Sequence, residues 1–106
     1  MSNASRTLRR MSKQTLRQIM ANVRRVLWEQ WDPIGVNDEP EAFGEYDRYA
    51  DGIYDLLMRG ASDDEIAKQL HSYETVDMEL HRRTNEQRMA VVKALRTIDL
   101  DPPDAP

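Results

Sequence analysis

Apolar residues between Ser12 and Trp31 recur at helical spacing: Leu16, Ile19, Met20, Val23, Val26 and Leu27 fall three, four and seven positions apart. They gather in one arc, which predicts an amphipathic helix capped by Ser12 and running to about Trp31, with that arc buried. Pro33 ends it and excludes Asp32 from the helical region. Gly35 then supplies the positive φ that a tight turn requires, so Gly35→Val is expected to destabilise the fold. Ile34 and Val36 are apolar within an acidic loop and are expected to fold back onto the core.

After a connector at residues 37–41, the pattern predicts a second helix from about Phe43 to Arg59. Tyr46, Tyr49, Ala50, Ile53 and Leu57 form its apolar face, with Leu56 beside them. Gly60 suits the left-handed position that closes a helix. Ser62 and Glu65 form a capping box for a third helix, and Asp63 and Asp64 suit its positive first turn. Ile66, Leu70 and Tyr73 are its expected buried positions, and it ends between Tyr73 and Met78. Thr84 and Gln87 make a second capping box, for a fourth helix to about Thr97 with Met89, Val92 and Leu95 facing inward. No strand pattern and no repeat interrupts this order. The expected fold is all-α: a small bundle of four helices, the first two antiparallel and pinned by a Pro-Gly corner at residues 31–36.

Length and composition keep the chain to one domain. At 106 residues, 40% hydrophobic and 32% charged, it has a small core under a highly polar surface. Residues 1–11 read as a flexible basic arm, residues 12–98 as the helical domain, and residues 99–106, rich in Pro and Asp, as a disordered tail. No apolar run approaches the roughly 18 residues of a membrane span, and the N-terminal arginines precede no apolar signal region. A soluble cytoplasmic protein without a membrane partner is therefore expected. The lack of cysteine excludes disulfides, thiolate metal sites and cysteine nucleophiles.

Charge is distributed unevenly around a net −4. Residues 1–28 carry seven bases and no acid, whereas residues 29–65 carry twelve acids against Arg48 and Arg59. Such asymmetry implies either attraction to a partner or attraction between neighbouring helices.

The stretch Trp31-Asp32-Pro33-Ile34-Gly35, followed by Glu45-Tyr46-Asp47-Arg48-Tyr49, resembles a widespread family of small all-helical bacterial proteins of unknown function. The resemblance continues through Ile53, Leu57 and Gly60-Ala61-Ser62 to Glu74 and Met78, covering residues 16–80 or so. It implies a helical fold and brings no agreed activity, so Trp31, Asp32, Pro33, Ile34, Gly35, Tyr46, Tyr49, Ser62 and Glu65 are read as structural.

Few residues carry candidate chemistry. Asp47, Asp51 and Asp55 stand four apart and make a carboxylate stripe beside the apolar face of the second helix. The stripe is either a docking surface for a basic partner or a solvated flank neutralised by the first helix and Arg59. It offers too few converging oxygens for magnesium or calcium. Trp28 lies about 140° from the apolar centre, one turn after Arg24, and an exposed Trp/Arg pair is the kind of patch enriched at interface hot spots. The alternative is a covered Trp28. The basic segment 6–25 raises nucleic-acid binding, but it shows no helix-turn-helix signal and no interleaved aromatics, and the whole chain is acidic. His71 and His81 lack a third ligand at zinc spacing, and no Ser-His-Asp order or glycine-rich phosphate loop is present. The expectation is a non-catalytic protein-interaction module, adaptor or immunity-like, using Arg24, Trp28, Asp47, Asp51 and Asp55, with no cofactor or metal. Its alternatives are a nucleic-acid accessory protein and, last, an enzyme with an unrecognised carboxylate site.

Overall fold

The computed structural model describes residues 12–81 and 83–100. Helix α1 spans Lys13–Val26 and continues without a break into a π-helical turn, Leu27–Trp31. A short 3-10 turn follows at Pro40–Ala42, then α2 at Asp47–Met58 and α3 at Asp63–Ser72, which passes into a second π-helical turn at Tyr73–Asp77. Helix α4 spans Asn85–Arg96. The described residues contain no strand, and the architecture is an all-α bundle of four helices. None of these helices is long and apolar enough to cross a membrane. The expected basic arm at residues 1–11 lies outside the described residues, as do residues 101–106 of the expected tail.

Local chemistry sets the helix ends. Ser12 caps α1 by accepting the Thr15 amide at 3.1 Å. Both expected capping boxes form, Ser62 with Glu65 and Thr84 with Gln87. At the end of α2, Gly60 takes φ +74° while its N–H and that of Ala61 return to the Leu57 and Leu56 carbonyls. That paired closure leaves few carbonyls of the last turn unmet.

α1 and α2 pack antiparallel: Arg24 meets Asp47 near one end, and Leu16 and Met20 face Tyr54 and Asp55 near the other. α4 runs antiparallel to α3, with Arg96 near its C-terminus bonded to Asp63 and to the Ala61 carbonyl. Ile19, Val23, Leu27, Ile53, Ile66, Leu70, Val92 and Leu95 meet between the four helices.

Trp31 is buried deepest at the corner end, at 0% exposure, although an α-helical count puts it at the edge of the apolar face. The π turn explains the difference. The Asp32 amide bonds five residues back to the Leu27 carbonyl, at 2.9 Å. A wider turn advances less than about 100° per residue, so it swings Trp31 back over the core.

Several expectations shift. The second helix begins at Asp47, not Phe43, because residues 40–46 form a 3-10 turn and successive tight turns around Pro40 and Gly44. Val36 packs against the core as expected, but Ile34 is exposed. Leu16 is also exposed, at the rim of a groove. On α4, Val91 is buried and Met89 only half-buried, while Tyr73 is half-buried on α3. The domain also continues past Ile98, since Leu100 is half-buried against the core. Leu100 falls within the expected tail, where three nearby prolines mask an apolar residue that packs on the core.

Candidate functional site

The corner motif is occupied by its own hydrogen bonds. Asp32 takes a left-handed conformation, φ 32°, which lets its carboxylate fold over the following loop. One oxygen accepts the Tyr46 hydroxyl at 2.7 Å and the Val36 amide at 2.8 Å, and the other accepts the Asn37 amide at 3.2 Å. The Tyr46 hydroxyl in turn accepts the Ile34 amide at 3.1 Å. Gly35 has φ +70°, as the tight turn requires. Burial and then the bond to Asp32 push the Tyr46 hydroxyl's pKa well above the usual phenol value.

Beneath the corner lies a buried charge cluster. Glu74, 1% exposed, accepts the Trp31 indole N–H at 2.9 Å on one oxygen and the Arg88 Nε–H at 3.0 Å on the other. Arg88, 6% exposed, also donates to the Arg83 carbonyl at 3.0 Å. Three helices are thus joined through one carboxylate. Glu74 falls within the resemblance, which assigns it no such role, and Arg88 falls outside it. A signal existed: Glu74 follows Ile66 and Leu70 at four-residue steps, and Arg88 precedes Val92 and Leu95 by four and seven. Each is a charge in the apolar phase of its helix, and their signs are opposite.

Trp28 is covered, not exposed: it is 9% accessible, with Phe43 edge-on at 5.3 Å and Tyr46 tilted at 6.1 Å. The connector, which a helical wheel does not represent, folds over that face of α1. The exposed ring is Phe43, at 57%. Arg24 pairs with Asp47 at 3.8 Å, and among the described residues it makes no cation–π contact with Trp28. The expected Trp28/Arg24 hot spot is therefore not assembled.

The acidic stripe divides three ways. Asp47 meets Arg24, Asp55 meets Arg59 within α2 at 3.7 Å, and Asp51 has no ion pair among the described residues. The first two pairs are substantially exposed and screened by solvent, so they contribute little to stability. Of the bases on α1, Arg24 alone pairs with the stripe among the described residues, so α1 meets it only at Asp47.

Asp51 and Asp55 border an open groove of about 560 Å³ between α1 and α2. Leu16, Met20 and Tyr54 give it an apolar floor, and Gly52 lies between the two acids. Burial, then the Asp55 charge, raises the Tyr54 hydroxyl's pKa. His71 and His81 are both exposed, and no three His, Asp or Glu side chains converge as a metal-ligating group among the described residues.

No family model, curated protein or solved structure matches the chain. The family resemblance therefore rests on the motif residues alone, and within this fold Trp31, Asp32, Gly35 and Tyr46 all have structural work.

Proposed function

We propose that this protein is a non-catalytic protein-interaction module, adaptor or immunity-like, whose binding face is the α1/α2 groove with its acidic border. The observation that carries the proposal is Asp51: a carboxylate without a cationic partner among the described residues, beside Asp55 and an apolar floor of Leu16, Met20 and Tyr54. A solvated flank needs no apolar floor beside it. A partner segment with basic side chains around apolar anchors fits both features, since opposite charge speeds encounter and the buried anchors supply the affinity. The corner motif is the frame that holds α1 and α2 at this spacing. The nucleic-acid alternative rests on the basic segment 6–25; its residues 6–11 lie outside the described residues, and its Arg24 is engaged by Asp47.

The test begins with affinity capture from a lysate of the source cells, followed by binding measurements on the purified partner. Asp51→Lys and Asp55→Lys should each weaken binding at least about tenfold while leaving the melting temperature nearly unchanged. Affinity should also fall as salt is raised. A partner that ignores both charge reversals refutes this face as the site.

A further inference from the structure

A second cleft, of about 370 Å³, opens at the corner end of the bundle, on α4's side of the Pro-Gly turn. Pro33, Ile34 and Leu80 give it apolar walls, and Asp32, Arg83 and Gln87 give it polar ones. Arg83 is half-buried, and its Nε is covered with no hydrogen-bond acceptor among the described residues. Among the described residues its guanidinium forms no ion pair, although Asp32 borders the same cleft. A covered guanidinium N–H without an acceptor works against folding, so the Arg83 Nε–H is a donor that the described part of the fold does not use.

Asp32 is the complementary element. Two donors hold one of its oxygens, while the Asn37 amide alone holds the other, leaving acceptor capacity there. Gln87 spends its side-chain oxygen on the Thr84 amide, which leaves its carboxamide N–H groups to donate. The cleft thus borders on a fixed anion and a cation that are not paired with each other among the described residues, together with aliphatic side chains. A simple carboxylate would satisfy Arg83 but face Asp32, and a simple amine would meet the reverse problem. A zwitterion satisfies both.

We propose that this cleft binds a free α-amino acid with an aliphatic side chain. Its carboxylate takes the Arg83 fork, assisted by Gln87, its ammonium takes the open oxygen of Asp32, and its side chain lies on Ile34 and Leu80. Guanidinium and carboxylate match as a two-point pair. Binding requires the half-buried Arg83 side chain to turn its fork toward the opening, a rotamer change of about nanosecond scale for side chains with solvent access. The site is independent of the α1/α2 groove.

Heteronuclear amide NMR of the full chain tests this with L-leucine, leucinamide and isocaproate. L-leucine should shift the Gly35 and Gln87 amide signals saturably. Leucinamide and isocaproate, each lacking one charge, should bind at least about tenfold more weakly, as expected for losing a hydrogen bond to a charged group. Arg83→Met should weaken leucine binding by a similar factor while keeping or raising the melting temperature, because it removes a covered Nε–H that has no acceptor among the described residues. Arg83→Lys keeps the charge but not the fork and should also weaken binding. No saturable shift up to about 10 mM leucine, equal binding of either analogue, or undiminished binding by both Arg83 variants overturns the proposal.

Discussion

Glu74→Gln and Arg88→Met test whether the buried carboxylate joins the corner to α4. Glu74 is 1% exposed and Arg88 6%, and they meet at 3.0 Å, so water screens neither charge effectively. Removing Arg88 leaves the carboxylate with the Trp31 indole alone. Removing the Glu74 charge leaves a buried guanidinium without a counter-ion, even though the amide oxygen can still accept from Trp31. Breaking one side of such a pair costs about 3–5 kcal/mol. A domain of this size has about 5–15 kcal/mol in total, so each single change removes a large share of the stability.

The double variant has no unpaired charge. It should lie within about 2 kcal/mol of the parent, whereas the single costs sum to about 6–10 kcal/mol, giving a coupling of at least about 4 kcal/mol. Urea unfolding followed by tryptophan emission suits the measurement, since Trp28 and Trp31 are both buried and Trp31 is bonded to Glu74. With a slope of about 1–3 kcal/mol per molar, each single variant should lower the midpoint by at least about 1 M. Either single change costing less than about 0.5 kcal/mol, or a double variant showing the full sum, refutes the reasoning.

Two further outcomes follow from the same geometry. At Gly52 an added Cβ runs into the Tyr73 hydroxyl, but it would sit 3.6 Å from the ring carbon that bears it. Gly52→Ala should therefore cost about 1–3 kcal/mol by overpacking, and adding Tyr73→Phe should restore most of it, with helix propensity gained besides, as read by melting temperature. In alkali, the Tyr46 hydroxyl is raised above the ordinary value of 10.0 by burial and Asp32. Its contribution is fully present below that value and is lost as pH climbs through the higher folded-state pKa. Melting temperature should decline above about pH 10, and Tyr46→Phe should flatten that decline while lowering stability at neutral pH. An unchanged alkaline slope in Tyr46→Phe would assign the loss to other groups.

Much of this fold is local in origin and so was readable along the chain. Ser12, Ser62 and Thr84 sit where their side chains meet amides three residues on, Pro33 cannot continue a helix, and Gly35 and Gly60 are needed at positive φ. Each effect acts within one turn of backbone. The spacing of Ile19, Val23 and Leu27, or of Ile53 and Leu57, likewise marks a buried face without naming its partner. What escaped the sequence depends on segments meeting from far apart. Trp28 became buried because the connector brought Phe43 and Tyr46 over it, against the helical count. Trp31 reached the core centre because a π turn altered its phase. Glu74 and Arg88, hydrophilic by composition, are buried because each satisfies the other and Trp31 fills the remaining bond. Asp51 and Arg83 lie at the opposite extreme: among the described residues the packing brought no counter-charge to either, and no count along the chain distinguishes them from their paired neighbours. Periodicity reports which residues leave water; only the assembled helices decide which charges find one another when they do.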